Sequence, residues 1–335
     1  MCKFWQFYGF SVPFVLHIRA GKENDFNIVC FEKQDSILGL WNFSWHVGTD
    51  KHGELVPNSM YRYLWSNGPK ECLEYPDYSF EQHFGKEIPS YPPRAVIYDY
   101  MQGRFNKPEL TSRVRLHTVV RMVKYNESNQ KFNVTSNDLE TNKDTVEDFD
   151  YVYVCAGHYH NPKMIHFPGF ETFGGRLLHA HDFRDGSQFK DKVIVTIGSS
   201  YSAEDIASQC VKYGAKHAYL SARQKRPDAA WYTYKWPRET ITNKDIVTHV
   251  DGKMVFFKDD SSVEADAIIV CTGYRHYYPY MEESLRLSGP DSYYNDGLYQ
   301  NIFWENNPKC MYRNTIKIVN LPQKQFLSRF FIFFL

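Results

Sequence analysis

The stretch from residue 191 to residue 223 constrains the fold more than any other. DKVIVTIG (191–198) is a β-branched apolar run too short for a helix, and therefore reads as a buried strand. Gly198, Ser199 and Ser200 break that run. AEDIASQCVKYG follows, with Ile206, Cys210 and Val211 at helical spacing and Gly214 as a C-terminal stop. HAYLSAR (217–223) then reads as a second strand. The result is a βαβ unit of the length that dinucleotide-binding folds use, with a loosened G-x-G-x-x-G/A pattern in which Gly198, Ser200 and Ala203 hold the three places. Small residues let the backbone approach a pyrophosphate, N–H groups at the helix start bind its charge, and Ser199, Ser200 and Ser202 add hydroxyls. A tight turn in some other α/β protein is the plain alternative. Where an NAD-binding unit places an acid for the ribose 2′-hydroxyl, this chain has Arg223, with Lys225 and Arg226 just beyond. A basic strand end favours NADP, while an ordinary solvated charge cluster is the competing reading.

Other segments echo this unit. FNIVCFEK (26–33) alternates into a strand ending at Glu32, the place of an adenosine-ribose acid, although no glycine triplet stands upstream. DFDYVYVCAGHYHNP (148–162) and EADAIIVCTGYRHYYP (264–279) share the order strand, Cys, small residue, Gly, aromatic or His. Each follows a stretch patterned as a β-meander, the second with turn chemistry at residues 258–262. Repetition implies duplicated architecture: an α/β fold of two Rossmann-like dinucleotide-binding domains, each a three-layer ββα arrangement with a β-meander insert. The expected division is residues 1–160 with 276–335 for one domain, and 161–275 for the other. The first is expected to be truncated, lacking both its glycine loop and its C-terminal closure.

Composition narrows the partners. The 335 residues suit two domains, and 39 Lys plus Arg balance 39 Asp plus Glu, so no field favours nucleic acid or an anionic membrane. A small-molecule partner fits better, and the 17 % aromatic content is compatible with flat ligands. Seven cysteines without a CxxC pair point to a reducing compartment. No run of eighteen apolar residues occurs; residues 4–18 make only a weak signal-peptide pattern, and the closing FLSRFFIFFL is too short to span a bilayer. His158, His160 and His181 come without a complete ligand set, so no metal is expected.

The chain also resembles the flavin-containing monooxygenases, particularly their trimethylamine monooxygenase-like members. Their pattern F-x-G-x-x-x-H-x-x-x-F/Y stands complete as Phe173, Gly175, His179 and Phe183. FEKQ with Gly39 and Trp41, SMYRYLWSNGPKE, YPPR, CAGHY, GSSYSAEDI, YKWP and CTGY extend the similarity over roughly residues 24–310. Departures are the missing N-terminal G-x-G-P-S-G loop, Leu38 in place of a usual glycine, and an unrelated stretch after WENNPK.

The resemblance implies that NADPH reduces FAD, that O₂ adds to the flavin, and that the resulting hydroperoxide oxygenates a soft amine or sulfide. It assigns Glu32, Gln34, Gly39, Leu40, Trp41, Asn67 and Val120 to FAD. It assigns Trp65, Asn67, Gly198, Ser199, Ser200, Tyr201, Ser202 and Arg223 to NADP. Asn67 and Tyr201 would stand at the reacting centre, whereas His179 lacks a partner for proton transfer and reads as structural. A cytoplasmic enzyme is implied, with endoplasmic-reticulum association as the alternative, and a homodimer is admitted. Two competing functions stay open: a non-catalytic or NADP-binding remnant, and a Baeyer–Villiger-type monooxygenase. A disulfide reductase is disfavoured because Cys72 and Cys210 lack redox spacing.

Overall fold

The structure is a computed structural model that describes residues 28–75, 77–223, 239–287, 297–299 and 302–312. The readings made on residues 1–27, on Lys225 and Arg226, on YKWP and on the closing segment lie outside these. The chain forms two compact units. One comprises Met1–Asn42, Trp65–His158 and Arg275–Leu335; the other comprises Phe43–Leu64 and Tyr159–Tyr274.

In the first unit, strands β1 (Cys30–Phe31) and β2 (Val114–Arg115) pair in parallel. Helix α1 (Phe80–Phe84) opens with a capping box, in which the Ser79 hydroxyl accepts from Gln82 N–H and the Gln82 side chain accepts from Ser79 N–H. Helix α2 (Arg94–Phe105) begins directly after Pro93, and α3 (Pro108–Thr111) starts on proline itself; both use a residue whose fixed φ suits a helix start. Strands β3 (Thr118–Asn126), β4 (Lys131–Asp138) and β5 (Lys143–Phe149) make an antiparallel meander. It leads into β6 (Val152–Val154), which pairs in parallel with a strand from the far end of the chain, Cys310–Tyr312.

The second unit is built on a five-stranded parallel sheet. Its members are β7 (Arg176–His179), β8 (Val193–Ile197), β9 (His217–Ser221), β10 (Ile241–Lys244) and, after a three-stranded meander of β11 (Val247–Asp251), β12 (Met254–Phe257) and β13 (Ser262–Glu264), strand β14 (Ala267–Val270). Their order in the sheet is β10-β9-β8-β14-β7. Helix α4 (Tyr201–Lys212) makes the crossover from β8 to β9. Successive side chains of a strand point to opposite faces, so the apolar residues of β8 and β14 feed two cores. Ile194, Ala267 and Ile269 pack with Ala203, Ile206, Ala207 and Cys210 of α4. Val195, Ile197, Ile268 and Val270 pack with Val247, Val250, Val255 and Phe257 of the meander. The sheet is thus covered by a helix on one face and by strands on the other.

Both units run meander, strand, cysteine, glycine. Cys155 and Gly157 follow β6, Cys271 and Gly273 follow β14, and both glycines adopt positive φ (77° and 82°). The sequence echo is therefore an echo of structure.

One residue of β8 interrupts its apolar character. Thr196 is fully buried and its hydroxyl has no hydrogen-bond partner. Removing an unsatisfied buried polar atom while keeping its shape gains stability. Thr196→Val is expected to stabilise the protein by about 1 kcal/mol; an unchanged or lowered midpoint in chemical denaturation would show that the hydroxyl does have a partner.

Candidate cofactor and active site

In the second unit the loop after β8 has no room for a side chain at its first residue. Gly198 has φ +152°, and a Cβ there would lie 2.4 Å from the Cys271 carbonyl oxygen. Gly198 N–H donates to Ser221 O (2.9 Å) and Cys271 N–H to Ile197 O (2.7 Å), which pins the loop between the ends of three parallel strands. Carboxyl ends of parallel strands are where open α/β sheets bind ligands. Ser199, Ser200, Tyr201 and Ser202 are all exposed, and the Ser200 side chain makes no capping hydrogen bond. The amino end of a twelve-residue helix, with its partial positive charge, thus faces solvent without a side-chain cap. Arg223 is exposed two residues beyond the end of β9. The structure brings Gly198, Ser199, Ser200, Tyr201 and Ser202 together on one loop and helix start.

The residues assigned to FAD all fall in the first unit. Glu32 ends the β1 stretch as a buried side chain, with its N–H on Arg115 O (3.0 Å) and its carbonyl accepting from Thr118 N–H (3.0 Å). Its Oε1 accepts the N–H of Gln34 (2.9 Å), and Gln34 O accepts from His117 N–H (3.2 Å). Burial pushes the Glu32 carboxyl up to about 7, with the Gln34 N–H and Lys33 acting against it. Gly39, Leu40 and the buried Trp41 form a short 3₁₀ turn, whose last carbonyl accepts from Arg94 Nη1 (2.8 Å). Arg94 is the arginine of the YPPR run, so that motif ties α2 to the Trp41 turn. Val120 is buried on β3 beside a bulge that shifts the register between it and Met122.

Trp65 and Asn67 lie in the first unit, and both are exposed. Between them Ser66 is buried; its hydroxyl donates to Gly68 O (2.5 Å) and accepts from Gly68 N–H (3.2 Å), while its N–H donates to Pro92 O (2.9 Å). The loop is closed on itself around Asn67, which is exposed.

The signature residues do other work. Phe173 packs against the core on the meander face, and Phe183 is fully buried in the helix-side core. A Cβ on Gly175 would sit 2.5 Å from the Asp266 carbonyl, so glycine permits the approach to the residue preceding β14. His179 ends β7; its Nδ1 accepts from His181 N–H (3.0 Å) and its ring meets Tyr274 edge-on at 5.3 Å. Burial, followed by neighbouring His181, lowers its pKa to about 4, so the ring is neutral at ordinary pH and packs as a structural group.

Two features carry no motif in the sequence. Arg184, 2 % exposed, donates through Nη2 to His46 O and Asn58 O (2.8 Å each) and through Nη1 to His181 O (2.6 Å) and Phe183 O (3.1 Å). The Tyr61 hydroxyl donates to Asp205 on α4. Together they bind the irregular segment Phe43–Leu64 into the second unit.

Residues 7–231 match the model of the flavin-binding monooxygenase-like family. The chain belongs to the flavin-binding monooxygenase-like family. Within that family it is 52 % identical to a trimethylamine monooxygenase of Methylocella silvestris, over 85 % of this chain and 62 % of that protein. The chain therefore spans less than two thirds of the length of that curated relative. The crystal structure of Tmm from Pelagibacter sp. strain HTCC7211 superposes with a TM-score of 0.82 at 43 % identity, covering 89 % of this chain and 67 % of the other. S-allyl-L-cysteine S-oxygenase from Allium sativum matches with a TM-score of 0.77 at 25 % identity, over 89 % of this chain and 68 % of that one. Among the described residues of this family member, no helix is long and apolar enough to cross a membrane.

Glu32 gives the site a pH signature. In an unfolded chain the carboxyl titrates near 4.5, whereas the native group holds its proton up to about pH 7. Ionising it therefore costs stability progressively as pH rises from 4.5 to 7, on the order of 3 kcal/mol in full. In protein purified without added flavin, Glu32→Gln is expected to abolish that decline, read as unfolding free energy at pH 5 and pH 8. Identical pH dependence in both proteins would mean that Glu32 is not protonated in the fold.

Proposed function

We propose that this family member is an NADPH- and FAD-dependent monooxygenase that oxygenates amines, trimethylamine first among them. The single observation that carries the reading is the 52 % identity to a trimethylamine monooxygenase across 85 % of the chain. Each unit is read as a Rossmann-like dinucleotide-binding domain, the first for FAD and the second for NADP.

The residues present fit the second cofactor well. The glycine cradle at Gly198, the uncapped amino end of α4 and three exposed serines supply donors for a pyrophosphate. Arg223 supplies charge for a 2′-phosphate. In the first unit, Glu32 is a buried carboxyl at a strand end, and the two hydroxyls of a ribose are the donors that would satisfy it once ionised. Bound flavin takes electrons from NADPH and activates O₂; the protein's contribution is to place and shield. Asn67, exposed on a loop closed by Ser66, donates and accepts through one rigid amide. Tyr201, at the first position of α4, meets whatever occupies the helix end. Neutral His179 moves no proton in this scheme.

Oxygenation of a soft sulfur compound is the second reading, favoured by the likeness to an S-oxygenase. Both are tested on the purified chain with added FAD. Flavin bands should co-migrate with protein, and NADPH consumption should rise with trimethylamine while its N-oxide accumulates. A colourless protein that leaves NADPH untouched would overturn the proposal. Arg223→Ala is expected to weaken NADPH binding by about 1.5–3 kcal/mol, the scale of a charge-assisted hydrogen bond, and to leave NADH unaffected. Equal losses for the two nucleotides would refute the assignment of Arg223.

A further inference from the structure

Tyr201, Asp205, Gln209 and Tyr213 recur at intervals of four along α4 and its C-terminal cap, and positions four apart are neighbours on one face of a helix. Three of the four hold the segment Phe43–Leu64. Asp205 accepts from the Tyr61 hydroxyl. Gln209 Nε2 donates to Tyr63 O at 3.0 Å. Tyr213 stacks on the Tyr63 ring, with centroids 4.8 Å apart and planes 19° from parallel. The remaining one, Tyr201, is 53 % exposed at the amino end of the helix. Upstream, Arg184 fixes the carbonyls of His46 and Asn58, and its own carbonyl accepts from Arg62 N–H (2.8 Å).

This segment forms no helix or named strand; its regular pairing is one isolated bridge, Thr49 to Leu55. Directed bonds from α4 and Arg184 therefore set its course. Burial raises the pKa of Asp205, with the Tyr61 and Gln209 hydrogen bonds opposing that rise. An apolar residue would fill the same space but would not choose one position for the Tyr61 ring. A part-buried hydrogen-bonded pair does so because only one geometry satisfies both groups. The chain then runs from Leu64 straight into Trp65 and Asn67.

We propose that Asp205, acting through Tyr61, is a positioning residue: their hydrogen bond fixes the course of residues 61–64 along α4, from which the chain continues into Trp65 and Asn67. The assignment rests on the monooxygenase reading for its consequence but not for its geometry. In coupled turnover, NADPH, H⁺, O₂ and the amine give NADP⁺, water and the N-oxide. With residues 61–64 loosened, NADPH, H⁺ and O₂ give NADP⁺ and hydrogen peroxide.

The test uses the full chain with Asp205→Ala, Tyr61→Phe and Asp205→Asn, whose amide oxygen can still accept from Tyr61. Hydrogen–deuterium exchange is followed in peptides covering residues 59–68 and 201–212. The alanine and phenylalanine variants are expected to exchange at least tenfold faster over 59–68 with 201–212 unchanged, and the asparagine variant to stay near wild type. The same two variants should release several-fold more hydrogen peroxide per NADPH oxidised, and the asparagine variant should not. Unchanged exchange over 59–68 in Asp205→Ala would overturn the proposal. So would equal impairment in Asp205→Asn, or loosening of 201–212 alongside the loop. A wild-type protein that does not oxidise NADPH would count against the monooxygenase reading alone, because the exchange result decides the positioning role without turnover.

Discussion

Much of the second unit depends on the place where Gly198 passes the Cys271 carbonyl. With no Cβ at that point, β8 and β14 stay in parallel register to their last residues, and the chain turns into α4 directly above their carboxyl ends. A side chain there would have to displace backbone, since the obstructing atom is a carbonyl oxygen rather than a mobile side chain. Where α4 starts determines which of its faces meets the sheet. Ala203, Ile206, Ala207 and Cys210 turn inward, and the row of Asp205, Gln209 and Tyr213 is left to take hold of residues 61–63.

The family signature looks different once its residues are located. Phe173 and Phe183 fill opposite faces of one sheet, Gly175 permits a close backbone approach, and His179 is a neutral ring wedged against Tyr274. None of the four carries a charge, and the His179 ring is buried with its Nδ1 already accepting from His181 N–H. What identifies the chain most specifically is thus a packing requirement at the end of β7. Apart from Val120 on β3, the residues proposed to touch cofactor lie on loops and at the ends of strands and helices, where the sequence patterns are degenerate. That division is physically reasonable: packing at a fixed approach tolerates few substitutions, whereas a loop that binds through backbone N–H groups constrains its side chains less.

Legibility in the sequence followed the range of the interactions. The β8–α4–β9 unit could be read because everything that makes it is local: a β-branched run, a glycine turn, helical spacing, a glycine stop. The strand–Cys–x–Gly echo was readable for the same reason, and both copies end on a glycine with positive φ. Glu32 was placed correctly at a strand end, but its raised pKa depends on burial by neighbours distant in sequence, which no local pattern reports. Phe43–Leu64 was not legible as part of the second unit. Arg184 holds it through backbone carbonyls, and any residue has a carbonyl, so its partners at His46 and Asn58 leave no compositional trace.

Arg184 also shows why such a clamp is built from arginine. A planar guanidinium can serve four carbonyls in fixed directions, two from its own stretch of chain and two from the irregular segment, and lysine offers no comparable fork. Burial lowers its pKa, yet an arginine starts so high that it remains charged, and each carbonyl receives a charge-assisted hydrogen bond. An apolar residue would leave those carbonyls without donors inside the protein, where an unpaired acceptor is destabilising. The irregular segment can thus be ordered without a helix or named strand of its own, because Arg184 satisfies two of its carbonyls, Gln209 a third, and turns within the segment satisfy others. That solution leaves the segment's side chains available: Tyr61 for Asp205, Tyr63 for Tyr213, and the residues after Leu64 for the loop that presents Asn67.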